Sequence, residues 1–345
     1  MFNKDKNHRN RRGFLKGLSA ILGVGATINL WPSLIKTARG EGIAGLGGLK
    51  GPRKLDPLGG LSVVLLGTGT PLPNPERTCA CTAIIAGNKV VLVDTGRGCV
   101  NRIAQAGLRN FDAVLFTHFH SDHFGEFGEV VITDAIWGRT RPVKVSGPVG
   151  ANEVIGNLMN SYKTDIRFRK EHHKDKWSDA ACEVQITEKN EGVVVDMEGL
   201  VITTFEVKHL PVKPALGYKI EYKGKKIVIS GDTIPVPQMV EMANGADVLV
   251  HEAINKELLN RFRGKVIEQG GERLSKMMDE MMEYHSDVND VAEMAAKAGV
   301  KKLVLTHLVP SIPESRIAER FFVQGVKSKF KGELIVGADL MEVQA

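Results

Sequence analysis

The segment Thr117-His118-Phe119-His120-Ser121-Asp122-His123 constrains this chain more than any other. It sets three imidazoles and one carboxylate within six positions, directly after the apolar run from Ala113 to Phe116. A short apolar strand that ends in such side chains delivers them to one edge of a sheet. Neutral imidazole with carboxylate suits zinc first, with iron and manganese as weaker candidates. One turn of chain cannot aim all four groups at a single ion without strain, so two neighbouring ions are expected. The alternative is a solvated polar loop, but histidine rarely clusters without a metal.

Further candidates of the same kind follow. His209 comes after the alternating run Val201 to Val207, Asp232 sits in Ser230-Gly231-Asp232-Thr233 after Lys226 to Ile229, and His307 closes Leu303-Val304-Leu305-Thr306. Each stands at the C-terminal end of a predicted strand, where layered α/β proteins commonly place their sites. Alone, a strand-end histidine is more often a packed or surface group than a ligand. Together with the histidine segment they point to one centre.

The order Gly67-Thr68-Gly69-Thr70-Pro71, Val93-Asp94-Thr95-Gly96, the histidine segment, His209, Gly231-Asp232-Thr233 and Thr306-His307 resembles the metallo-β-lactamase superfamily. Within it the pattern is similar to the ribonuclease Z and metal-dependent arylsulfatase branch, over about residues 60 to 345. The resemblance implies an α/β fold, a four-layer αββα sandwich. It also implies a ligand set: His118, His120 and His209 on one ion, Asp122, His123 and His307 on the other, and Asp232 between them. A hydroxide held by two zinc ions about 3.5 to 4 Å apart would be the nucleophile. Diiron relatives usually carry a glutamate at the position of His120, and the commonest zinc β-lactamases a cysteine at that of Asp232; this chain has neither.

By the same resemblance, Asp122 and His285 are the expected catalytic groups. His285-Ser286 before a predicted helix matches the place where ribonuclease Z enzymes put a proton-donating histidine, although an exposed helix-end histidine is the other reading. Asp94 would accept the free ring NH of a ligand histidine, or else stabilise a turn. His251 and Glu252 are expected behind the ligands, with Glu252 a partner for His285. Gly67 to Pro71 has no lysine at phosphate-loop spacing and reads as a tight turn under the site.

The middle of the chain sets the expectation for substrate. Trp137-Gly138-Arg139, Gly147-Pro148-Val149-Gly150 and the stretch from Tyr162 to His173 resemble arylsulfatase-type members, as do Leu305-Thr306-His307-Leu308-Val309-Pro310 and Gly337-Ala338-Asp339-Leu340-Met341, and no long RNA-gripping insertion is evident. His172 and His173 line the substrate mouth or belong to a solvated loop. Charge argues the same way. Of 46 Lys and Arg and 40 Asp and Glu, eight and two lie in residues 1 to 44, which leaves 38 against 38. A polynucleotide enzyme should show a basic excess. The expected function is therefore an exported dizinc hydrolase of sulfate or phosphate esters, acting on a small ester and not on nucleic acid. A ribonuclease Z-like phosphodiesterase is the alternative within enzymes, and a non-catalytic exported metal or ligand binder the alternative outside them.

Export is read from Arg11-Arg12-Gly13-Phe14-Leu15-Lys16 ahead of the apolar stretch Leu18 to Ile35, which resembles a twin-arginine signal. The expected division is a signal over 1–44, a Gly-rich linker over 45–59 and the hydrolase domain over 60–345, with a periplasmic or extracellular location. The export machinery is then a partner, the membrane is met only through an uncleaved signal, and a homodimer is allowed for. Cys79, Cys81, Cys99 and Cys182 are too few for a disulfide scaffold; Cys79 or Cys81 pairing with Cys99 and free buried thiols are both open. Ser286 is expected to cap a helix running through Ala298, and Glu333 to Val343 to form one closing strand.

Overall fold

The apolar runs become the strands of two mixed seven-stranded sheets in the computed structural model, which describes residues 51–345. The expected export signal lies outside the described residues. In the first half, β1 (Leu61–Gly67), β2 (Cys81–Ala86) and β3 (Lys89–Val93) form a meander. They are followed by α1 (Cys99–Ala106), β4 (Ala113–Leu115), α2 (Ser121–Phe124), α3 (Phe127–Ile136), β5 (Val143–Gly147), α4 (Ala151–Ser161), α5 (Lys163–His173) and β6 (Val184–Glu188). The second half supplies β7 (Gly192–Met197), β8 (Leu200–His209), β9 (Val212–Tyr222), β10 (Lys225–Ile229), α6 (Pro237–Met242) and β11 (Val248–Ile254). It continues through α7 (Lys256–Glu268), α8 (Glu272–Tyr284), α9 (Val288–Lys297), β12 (Lys302–Val309), α10 (Arg316–Phe322), α11 (Val326–Lys329), β13 (Glu333–Val336) and β14 (Met341–Gln344).

Strand composition explains the layering. All seven residues of β1 and all seven of β11 are buried, because these strands are covered on both faces and so carry continuous apolar runs. Val63, Leu65, Ile84 and Leu115 meet Ile202, Leu216, Ile220 and Val304 between the sheets. The outer face of the first sheet packs Val64, Leu66 and Val114 against Ile103, Phe127 and Ile155. That of the second packs Leu249 and Leu303 against Met239, Val291 and Ala295. The result is the expected αββα sandwich. Each fully buried Val or Leu contributes about 1.5 to 3 kcal/mol, so the fold rests on these layers and not on the polar edge.

That edge is set by strand direction. β3, β4, β5 and β6 run parallel in one sheet, as do β10, β11, β12 and β13 in the other. Their C-terminal ends therefore collect Asp94, His118, Asp232, Glu252 and His307. At His307 the β11–β12 ladder slips: Glu252 pairs with Thr306 but Ala253 with Leu308. A bulge leaves its extra residue out of the ladder and re-aims its side chain; His307 takes φ 46 here.

Two boundary expectations are corrected. Asp287, not Ser286, caps α9: its carboxylate accepts from the Asn289 amide, while the Ser286 hydroxyl donates to the Thr233 carbonyl at 2.6 Å. The closing segment is two strands, not one. β13 joins β12 in the second sheet, then the chain turns at Leu340 (φ 66) and β14 pairs with β1 in the first. All four cysteines are free thiols.

Asp339 sits in that turn and holds the first glycine loop. It accepts from the Thr68 amide (3.0 Å), the Thr78 amide (2.8 Å) and Arg102 Nε (3.0 Å). Thr68 in turn gives its carbonyl to the Leu308 amide, next to His307. Gly67 has no room for a side chain, since a Cβ would lie 1.8 Å from the Cys79 carbonyl. Asp339→Ala strands two part-buried amide donors, and stability is expected to fall by about 2 to 6 kcal/mol in urea denaturation, at about 1 to 3 per unsatisfied group. A midpoint unchanged from wild type would refute this brace.

Candidate metal centre

The histidine segment owes its geometry to what flanks it. After β4 the chain crosses the edge as Thr117-His118-Phe119-His120 and enters α2, whose first turn carries Asp122 and His123. Phe119 packs sideways against Phe116 and Phe124, which leaves the residues on either side facing the edge. His118, Asp122, His123, His209, Asp232 and His307 are buried, and His120 is exposed.

Four overlapping groups form, each with its donor atoms within 4.8 Å of one another: His118, His120 and His209; His118, His123 and Asp232; Asp122, His123 and His307; and His209, Asp232 and His285. All seven expected ligands are among them. In the first group His120 Nδ1 lies 3.0 Å from His118 Nε2 and 3.4 Å from His209 Nε2. In the third, Asp122 Oδ2 lies 3.3 Å from His307 Nε2 and 3.7 Å from His123 Nε2. Asp232 spans both: its Oδ2 is 4.0 and 3.8 Å from the Nε2 atoms of His118 and His209, and 3.4 and 3.5 Å from those of His123 and His307.

Ring orientation comes from behind. Asp94 Oδ2 lies 2.8 Å from His123 Nδ1 and accepts from the Thr117 hydroxyl at 2.8 Å, while Oδ1 takes the Thr117 amide. Thr117 Oγ1 is also 3.0 Å from His118 Nδ1. His209 Nδ1 faces the Tyr284 carbonyl at 3.0 Å. The rings of His118, His123 and His209 thus have Nδ1 occupied and turn Nε2 inward, whereas His120 presents Nδ1 to its group. Thr117 and Tyr284 were not singled out from sequence; a hydroxyl opening the histidine segment was the available signal for the first, and nothing local pointed to the second.

Electrostatics supports a cation. Burial holds His118 well below its ordinary pKa, with His123 adding to it, and burial likewise lowers His209 and His120. These rings offer lone pairs. Burial opposes charge on His307 too, but Asp232 and Asp122 outweigh it and bring it up to about 9. Burial pushes Asp232 upward, and His307 and His123 more than reverse this, holding it well below the carboxylate range. His123 Nε2 is buried with no hydrogen-bond partner among the described residues. Buried carboxylates, neutral rings and an unpartnered inward nitrogen fit divalent cations, which would satisfy all three.

Around the centre, His285 is buried against His307 (ring centroids 5.4 Å, stacked) and His209 (5.2 Å), with Nδ1 3.2 Å from Glu252 Oε1. Glu252 Oε1 also accepts from the Ser286 and Thr233 amides, so its place is fixed. His251 belongs to none of the four groups; it is buried with Nδ1 2.6 Å from the Glu252 carbonyl. His172 and His173 end α5, which buries none of its residues, and His173 stacks on Trp177. They too join no group. Asp94→Asn should weaken metal retention about 10- to 100-fold, read by chelator competition; wild-type affinity in that variant would exclude Asp94 from orienting His123.

Residues 89–308 match the family model described as a β-lactamase superfamily domain. A ribonuclease Z from Mycobacterium marinum is 35% identical over 289 residues, covering 82% of this chain and 98% of its own length. Human tRNase Z, short form, shares the fold with a TM-score of 0.59 at 22% identity, over 82% of this chain and 98% of that one. So does Zn2+-bound PqqB from Methylobacterium extorquens, with a TM-score of 0.52 at 17% identity, over 82% and 100%.

The mycobacterial relative overturns two expectations, that of a small sulfate or phosphate ester as substrate and that of no nucleic-acid partner. Of the arylsulfatase-like stretches, Trp137 to Arg139 follows α3, Gly147 to Gly150 joins β5 to α4 and Tyr162 to His173 leads into and forms α5, while Leu305 to Pro310 carries His307 itself. Formal neutrality also misled: it averages over the whole surface and omits the positive charge that bound cations supply at a centre.

Proposed function

Because the chain belongs to the β-lactamase superfamily and, within it, to the ribonuclease Z family, we propose that this metal-dependent hydrolase is a phosphodiesterase that cuts precursor tRNA. The observation that carries the reading is the relative that matches along nearly its whole length. The geometry adds a buried histidine beside the metal cluster, with a carboxylate oxygen 3.2 Å from its Nδ1. An aryl leaving group with a phenol pKa near about 10 departs with little protonation, whereas a ribose alkoxide needs an acid.

His118, His120 and His209 would hold one ion and Asp122, His123 and His307 the other, with Asp232 shared; zinc suits this donor set best. Two such ions, when bound, would supply Lewis acidity toward the phosphoryl oxygens and would make a water acidic enough to serve as nucleophile near neutral pH. The chain's own residues do the rest. Asp94 and Thr117 keep the His118 and His123 rings turned inward, so that binding requires little rearrangement. His285, steadied by Glu252, donates a proton to the departing ribose oxygen.

The test is incubation of the zinc-loaded chain with a precursor tRNA that carries a 3′ trailer. Cleavage at the end of the acceptor stem, absent in Asp232→Ala, is the expected result. Hydrolysis of small esters with no cleavage of the RNA would reject the reading.

A further inference from the structure

One nitrogen belongs to two of the four donor groups. His209 stands with His118 and His120 in the first, and with Asp232 and His285 in the fourth. Because its Nδ1 faces the Tyr284 carbonyl at 3.0 Å, only Nε2 is left for a cation, and an ion held through it uses one group or the other. His285 is the single member of the four groups that the seven-residue ligand set leaves over. As a proton donor it needs no place in such a group.

We propose that His285 is a reserve metal ligand: with His209 and Asp232 it forms a second seat for the ion that His118, His120 and His209 hold. The inference rests on the ligand set proposed above, and not on RNA as the substrate. A ring nitrogen bonded to a cation has no proton to deliver to a leaving group. The seat taken by the ion therefore decides whether His285 is free to act as an acid.

The surroundings of His285 are those of a ligand. Its Nδ1 lies 3.2 Å from Glu252 Oε1, as the Nδ1 of His123 lies 2.8 Å from Asp94 Oδ2. A carboxylate behind one nitrogen, with the other left for the ion, is how ligand histidines are commonly oriented. The donor atoms of the second seat fall within 4.8 Å of one another, and His209 Nε2 is 3.8 Å from Asp232 Oδ2. Around a four-coordinate zinc, donors stand about 3.3 Å apart, so closing this seat takes side-chain shifts on the order of an ångström. Charge favours it as well. Glu252 Oε2 is buried with no hydrogen-bond partner among the described residues, and Glu252 and Asp232 line a common cavity of about 30 Å³. A cation on His285 brings positive charge to a buried carboxylate that is otherwise half satisfied.

Donor count sets the order of the two seats. His118, His120, His209 and Asp232 outnumber the three groups of the second seat, so the first is filled while all four are present. His120 is the exposed member of its trio, and its removal disturbs the fold least. Once it is gone, His285 makes up the missing donor.

The test is zinc affinity by chelator competition in the wild type, His120→Ala, His285→Ala and the double variant. His285→Ala alone should leave both affinities nearly unchanged, since the first seat does not use it. His120→Ala should weaken one site about tenfold, and adding His285→Ala should weaken that site by a further factor of about ten, a non-additive loss. The site of Asp122, His123 and His307 should keep its affinity throughout, which reports an intact fold. Crystals of zinc-loaded His120→Ala should place an ion about 2.0 to 2.1 Å from a ring nitrogen of His285. Equal cost of His285→Ala in the two backgrounds, or an ion in those crystals that stays clear of His285, overturns the reserve seat alone. Undiminished affinity for both ions in His120→Ala sinks the proposed ligand set with it.

Discussion

Asp232→Ala is expected to lose both metal ions, whereas His307→Ala keeps one. On the proposed ligand set Asp232 is the group whose one oxygen lies within 4.0 Å of imidazoles from both trios. Removing it deletes a donor from each ion and leaves two cations facing each other without a shared anion; two divalent charges repel by about 16 kcal/mol at 4 Å in an effective dielectric of about 20, four times the value for unit charges. His307 touches only the side shared with Asp122 and His123, so its loss spares the trio of His118, His120 and His209. Phosphodiesterase activity should fall to background in Asp232→Ala. Both variants should fold, because the three apolar layers extend well beyond the edge. Metal stoichiometry by elemental analysis decides: two tightly held equivalents in Asp232→Ala would remove it from the bridging position.

His285→Ala should slow RNA cleavage by about 10²- to 10⁴-fold, the usual worth of a positioned acid. The loss on bis(4-nitrophenyl) phosphate should be far smaller, since a nitrophenolate leaves without a proton. Glu252→Gln should fall between wild type and His285→Ala on RNA, because the amide still fills the space beside His285 but no longer carries the charge that steadies it. Equal losses on the two substrates would mean that His285 shapes the centre and donates no proton.

Some of this was written locally. Three imidazoles and a carboxylate after four apolar residues announce a metal edge from seven consecutive positions, since a strand's direction fixes where its last side chains go. The buried runs of β1 and β11 likewise carry their own burial. Net charge was a poorer guide to substrate, because it is a sum and recognition depends on where charges stand.

The chain itself, read residue by residue, determined the strands, the αββα class and the donor types at the centre. The tertiary structure alone decided how those donors face. Asp94 turns His123 from 29 positions away, the bulge against β11 throws out His307, and Asp339 pins Thr68 across 271 residues of chain. The eleven residues from Glu333 to Val343 look like one strand and are split between two sheets. Tyr284, neutral in any sequence pattern, becomes the residue whose carbonyl faces His209. Periodicity records only which face of its own element a residue occupies, and a contact between distant segments leaves no period to read.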